Sequence, residues 1–304
     1  MKRQKLRSAF IGGLFASALL IFLGGCLKES NGDCSTRHTL VVRAYDIDNN
    51  EITDQMDGSV LLYLFDSNGF FIEHREVTAG TQIELLVPKD EQITAIAWAE
   101  YDGDNCLFPL DLVAGERHVN SCAVILNLCS RADAAPHDSP GDLFSGNYDA
   151  TYNASTTDNE IPVYRRTGSM SITVRKMREH VGATGDDNDF SIVVHETENT
   201  LDFYGAVSGD KVAAYTPAGS FNSAGLYNTG IFNMLPSTDG ISIDVYHGDE
   251  LLRTVSTFRN DDGSQTPITV AVGMTTNVLI DFSAIPTVEI SINDWGILES
   301  WKSF

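Results

Sequence analysis

The chain has 304 residues, 42% of them hydrophobic, and its 42 Asp and Glu outweigh 20 Lys and Arg to give a formal charge of −22. Such acidity repels nucleic-acid phosphates and anionic headgroups, and no basic stripe opposes it, so a nucleic-acid partner is not expected. The length exceeds what one typical domain needs, which makes two domains the natural expectation.

The chain opens with Lys2, Arg3, Lys5 and Arg7, followed by a stretch from Ala9 to Leu23 that is apolar apart from Ser17 and the glycines at 12 and 13. This run falls short of the roughly 20 residues a membrane-crossing helix needs, so it reads as the basic and apolar regions of an export signal. It ends in Leu23-Gly24-Gly25-Cys26, which resembles a bacterial lipobox. The expectation is a signal peptide over residues 1–25, cleavage before Cys26 and lipid on the Cys26 thiol, with membrane attachment through that lipid. Cleavage there removes four basic residues and no acidic one, leaving 16 Lys and Arg against 42 Asp and Glu, a charge of −26. Residues 26–37 then form a polar spacer.

Beyond Cys26 lie Cys34, Cys106, Cys122 and Cys129. An even number in an oxidising compartment fits two disulfides, and three pairings are open. Cys106 with Cys122 and Cys34 with Cys129 is the favoured pair of bridges, because residues 106–122 read as a loop returning to a neighbouring strand. No paired C-x-x-C element supports zinc.

A series of short apolar runs bounded by turn residues fills residues 38–130. Leu40–Tyr45, Val60–Phe65, Phe70–Val77, Thr81–Val87, Ile93–Tyr101 and Val119–Leu128 read as strands, with Asn68-Gly69 a hairpin signal between the second and third. No stretch follows a helical period, so this half is expected to be a β-sandwich. Residues 131–160 are dense in Asp, Ser, Asn, Gly and Pro and read as a linker, with Leu143 and Phe144 docking onto a domain. Residues 161–304 repeat the pattern through Met170–Val174, Phe190–His195, Leu201–Tyr204, Ile241–Tyr246, Leu251–Phe258, Thr276–Phe282 and Val288–Trp295. Pro217–Gly230 reads as a long loop, and the strand pattern leaves room for a short helical turn at Arg175–His180. The fold class expected is all-β, two tandem β-sandwich domains.

The seven histidines are scattered, with no metal-binding spacing and no nucleophile elbow, so no catalytic residue, cofactor or metal site is assigned. Asp46-Ile47-Asp48-Asn49-Asn50 alternates oxygen ligands as a calcium loop does, but Glu51 stands where the sharp turn needs glycine. Together with Asp102–Asn105 and Asp186–Asp189, it reads as a solvated acidic loop. Trp98 belongs to an apolar run and is expected in the core, whereas Trp295 and Trp301 are candidates for stacking on sugar rings.

The lipobox and acidic spacer, with SVLLYLFDSNGFFIEH (59–74), PKDEQITAIAWAEY (88–101), SPGDLFSG (139–146) and VEISINDWG (288–296), resemble the FimB/Mfa2 fimbrial anchor family of Bacteroidetes. One departure is the turn after Pro88, where charged Lys89-Asp90-Glu91 replaces an expected glycine-containing turn. The resemblance implies transthyretin-like sandwiches, outer-membrane lipidation and a non-catalytic place at the base of a fimbria, with influence on its length. It also implies fimbrial subunits as partners, bound by strand complementation. Two rivals are a shaft or tip pilin cut after Arg37 and a surface glycan-binding lipoprotein.

Overall fold

A computed structural model of the chain describes residues 35–101, 105–127, 139–152, 159–182, 189–211, 213–260, 262–283, 287–299 and 301. The described residues are almost entirely β, and Thr36–Phe304 belong to one unit made of two lobes.

The N-lobe contains β1 (Ser35–Tyr45), β2 (Ser59–Asp66), β3 (Phe71–Thr78), β4 (Gln82–Pro88), β5 (Gln92–Ala99), β6 (Cys106–Leu107), β7 (Ala123–Leu126), β8 (Phe144–Thr151) and β9 (Asn159–Arg165). Seven of these form one sheet in the order β3-β2-β5-β8-β9-β1-β4. The unbroken apolar run of β2 is explained by burial on both faces, where an alternating pattern would leave one face wet. Val60, Leu62 and Leu64 meet Leu40, Val42, Ala44, Leu85 and Ala97 in a first core, whereas Leu61, Tyr63 and Phe65 join Ile96 and Trp98 in a second.

The segment read as a linker contributes a central strand. Within it β8 pairs antiparallel with β5 from Gln92↔Thr151 to Ala99↔Phe144, and β9 runs parallel to β1 from Leu40↔Asn159 to Tyr45↔Tyr164. The N-lobe sheet therefore continues through Arg165, and Leu143 and Phe144 are buried as expected. Small residues conceal β8 in the sequence for a packing reason. A Cβ on Gly146 would overlap the Pro162 carbonyl of β9, so only glycine lets the two strands approach.

The C-lobe comprises β10 (Gly168–Arg175), α1 (Met177–Val181), β11 (Phe190–Thr197), β12 (Thr200–Asp202), β13 (Val207–Ser208), β14 (Ala213–Tyr215), β15 (Ser220–Phe221), β16 (Tyr227–Met234), β17 (Ser242–His247), β18 (Glu250–Val255), β19 (Thr257–Arg259), β20 (Gln265–Pro267), β21 (Met274–Asp281) and β22 (Thr287–Asp294). Two sheets, β15-β16-β10-β21-β22 and β14-β11-β17-β18, enclose Met170, Ile172, Ile192, Val194, Ile243 and Val278 as a sandwich. β10 and β21 pair in parallel, as β1 and β9 do. The room left for a helical turn is filled by α1. The expected long loop ends early, because β16 starts at Tyr227 and pairs along β10.

The lobes share their second core. Strand β12 of the C-terminal half crosses over and pairs with β7 at Leu201↔Val124, and the following Phe203 packs its ring on Tyr63, Phe65 and Trp98.

Candidate functional site

Three regions of the described residues are built by specific side chains: the entry of β1, the joint between the lobes, and the sheet edges. The first strand begins at a defined end of the N-lobe. His38, fully buried, places Nε2 at 3.1 Å from the Thr151 carbonyl and Nδ1 at 3.4 Å from the Asn159 side-chain amide. The carbonyl requires a proton on Nε2, so Nδ1 accepts from Asn159. The same end holds the turn after Pro88, where Asp90 adopts φ +63°, taking the left-handed conformation that the expected glycine would have supplied. It also holds the hairpin turn at Asp66–Phe70, in which Asp66 accepts from the amides of Asn68 and Phe70 and Gly69 lies at φ +80°. β1 then runs toward the C-lobe, as does its parallel neighbour β9, which leads into β10.

Arg37 is the third residue of β1 and forms an exposed ion pair with Glu84 at 3.0 Å. The next arginine, Arg43, lies 2.7 Å from Glu51 and 3.5 Å from Glu160. Tyr45 donates to Glu160 at 2.6 Å, and this bond to a carboxylate is the chief reason its phenol is pushed up to about 12. Everything that pairs with β9 in β1 lies after Arg37.

At the opposite end of the N-lobe, Arg165 joins the two halves. Its guanidinium meets Asp142 through two hydrogen bonds of 2.6 and 2.7 Å, lies 4.9 Å from the centre of the Phe144 ring and 4.2 Å from that of Trp295. A planar fork can satisfy a carboxylate at its edge and stack on rings with its faces at once. Trp295 follows β22, so the end of the chain's last strand is clipped to the last strand of the N-lobe. This covers part of the ring offered as a sugar platform. Trp98 is fully buried, in agreement with the core expectation, and Trp301 is half-buried.

Of the residues predicted from sequence, Cys26, Cys34 and Cys129 lie outside the described residues, and so does the pairing of Cys34 with Cys129. Cys106 and Cys122 are both buried in the second core, but the expected bridge between them is not formed. Cys106 faces Leu126 across β6 and β7. Cys122 is four residues earlier, about 13 Å along an extended strand, whereas a disulfide needs Cα atoms within about 7 Å. Burial pushes the Cys122 thiol up.

The Asp46 loop closes on itself. Asp46 accepts from the Asn50 side chain at 2.9 Å and from the backbone amides of Asn50 and Asp48, and these bonds hold its carboxyl below the usual range. Residues 102–104 and 186–188 of the other acidic loops lie outside the described residues. Among the described residues, no three His, Cys, Asp or Glu side chains converge as metal ligands.

The sheet edges were not located by sequence reasoning. In the C-lobe they are β15 and β22 of one sheet and β14 and β18 of the other. At eight residues β22 is the longest, and Thr287, Glu289, Ile292 and Asp294 are exposed along it. An edge strand offers unpaired main-chain groups to another strand.

Comparisons with known proteins agree with this geometry. The family of Fimbrillin-A associated anchor proteins Mfa1 and Mfa2 matches residues 30–301. The major fimbrium anchoring subunit FimB of Porphyromonas gingivalis strain W83 is 28% identical over 298 residues, covering 92% of this chain and 93% of that protein. The solved fimbrial anchor protein Mfa2 of the same organism superposes with a TM-score of 0.58 at 14% identity, over 86% of this chain and 98% of its own. A candidate polysaccharide-binding protein of Bacteroides thetaiotaomicron gives a TM-score of 0.64 at 16% identity, over 85% and 96%. At those identities the structures speak for the fold.

Proposed function

This chain belongs to the fimbrial anchor family, and on that premise we propose that it is an outer-membrane lipoprotein that ties a fimbria to the cell surface through lipid on Cys26. Its role is non-catalytic, and it influences the length or assembly of the fimbria that it holds. The observation that carries this reading is the polarity of the N-lobe. β1 enters at the end marked by His38, and β9 leaves at the other end for the C-lobe. A tether before β1 therefore holds the N-lobe at the membrane and presents the C-lobe outward, toward the fimbrial subunits. Those subunits are proposed to bind by adding a strand, and β22 is the longest edge the C-lobe offers to one.

The placement of Arg37 favours an anchor over a pilin cut at that residue. Cleavage after Arg37 would release only the first three residues of β1 and leave the paired segment Leu40–Tyr45 in its sheet, so no strand would be vacated.

The test is the mature N-terminus, read by mass spectrometry on membrane-extracted protein, alongside a Cys26→Ser strain. Acylated Cys26, with fimbriae shed into the medium or altered in length in the variant, is the expected result. A mature chain starting after Arg37, or variant cells whose fimbriae stay attached and normal, would overturn the proposal.

A further inference from the structure

We propose that the membrane-facing end of the N-lobe touches the lipid surface directly, through an apolar patch formed where the β2–β3 turn meets the loop that follows β6. Phe70 and Ile72 are each 38% exposed, and Leu110 and Val113 in that loop are 51% and 57% exposed. Backbone bonds bring the two segments together. Phe71 donates to the Arg117 carbonyl and accepts from Gly115, Val119 donates to Gly69, and Glu116 donates to Val113 to close the turn that carries it. Phe70 also stacks edge-on against His118, at 5.5 Å between ring centres. The loop is thereby fixed against the lobe, with Phe108 and Leu112 packed on its core and Leu110 and Val113 turned outward.

Position and tether length identify the occupant. The Asp66–Phe70 turn lies at the end of the sheet where β1 begins, since Asp66 pairs with Ile93, whose neighbour Gln92 pairs with Thr151, the residue that His38 contacts. From Cys26 to Thr36 there are ten residues, which reach at most about 35 Å when fully extended. The lipid therefore keeps this end of the lobe within a short distance of the bilayer, and exposed apolar side chains there gain by entering the interface. The nearby carboxylates Asp66, Asp111 and Glu116 oppose deep insertion and confine the contact to the apolar tips, on a membrane of low anionic charge.

This inference rests on the lipid-anchor reading, and the experiment separates the two. The full mature protein, with acylation of Cys26 verified by mass, is reconstituted into phosphatidylcholine vesicles. The photo-crosslinking residue p-benzoylphenylalanine replaces Val113, Phe70 or, as a control on the C-lobe, Leu251. Lipid adducts at Val113 and Phe70 should exceed those at Leu251 by about tenfold, the contrast between an interfacial and an aqueous site. Equal yields on acylated protein would overturn the contact and leave the anchor reading standing. The same crosslinkers in cells should give lipid adducts, and a protein adduct at Val113 in their place would also overturn it. Absence of acyl chains on Cys26 of protein extracted from cells would overturn both readings.

Discussion

The N-lobe wraps most of its single seven-stranded sheet around a private core, whereas the C-lobe is a two-sheet sandwich whose core continues into its neighbour. The N-lobe sheet ends in β3 and β4, edges of eight and seven residues. One C-lobe sheet ends in β22, which β19 flanks, and the lobe borrows part of its support, through β12 and Phe203, from the N-lobe. The difference is one of core organisation: one lobe keeps a core to itself and the other shares one. It also means that the lobes should lose structure together, since Tyr63, Trp98 and Phe203 belong to one packed group.

The sharpest way to break that contrast is Phe203→Ala. The ring is 1% exposed, and its loss should cost about 3–5 kcal/mol. Calorimetry on the variant should still show one transition, and two separated transitions would mean that the lobes are coupled less than the shared core implies. Gly146→Ala tests the N-lobe by itself. The added methyl meets the Pro162 backbone, so about 1–3 kcal/mol of overpacking strain is expected in urea unfolding. Arg165→Ala removes the clip at the joint and should cost about 2 kcal/mol, with Arg165→Lys recovering less than half because lysine has no fork. If Arg165→Lys behaves as wild type, charge alone holds the joint. Tyr63→Phe runs the other way. The Tyr63 hydroxyl is buried without a hydrogen-bond partner among the described residues, so its removal should be neutral or stabilise by about 1 kcal/mol. The smallest effect concerns pH. Burial raises the Glu100 carboxyl, so the fold favours its protonated form, and the resulting stabilisation is present at acid pH and lost as pH rises through the folded value. Glu100→Gln should therefore raise the melting temperature slightly at pH 7 and leave it unchanged at pH 4.

The elements legible in the sequence were those whose burial leaves a local signature. The run at β2 and the Asn68-Gly69 turn announce themselves, and α1 shows as a break in the strand pattern. β8 and β16 did not, because Ser145, Gly146 and Asn147 in one, and Asn228, Thr229 and Gly230 in the other, pack through small size and hydrogen bonds more than through apolar bulk. The parallel pairs of β1 with β9 and β10 with β21 join strands more than 90 residues apart, and such pairing has no signature within either strand. The same limit explains the cysteines. Spacing suggested a bridge from Cys106 to Cys122, but the register of β6 on β7 carries them apart. Trp295 was noticed for its ring, while its partner Arg165 stands 130 residues earlier and could only be found by folding.

The interior position of β1 has a mechanical consequence. β1 lies between β9 and β4, and its paired residues Leu40–Tyr45 point along the line from the tethered end to the C-lobe. Under the proposed attachment, with lipid at one end and a fimbria at the other, drag on the fimbria would pull β1 lengthwise through its sheet. The ladder is then loaded in shear, with its hydrogen bonds sharing the force, and it is not peeled open one rung at a time. A strand on the rim would share the same lengthwise load with one neighbour, whereas β1 is held by two.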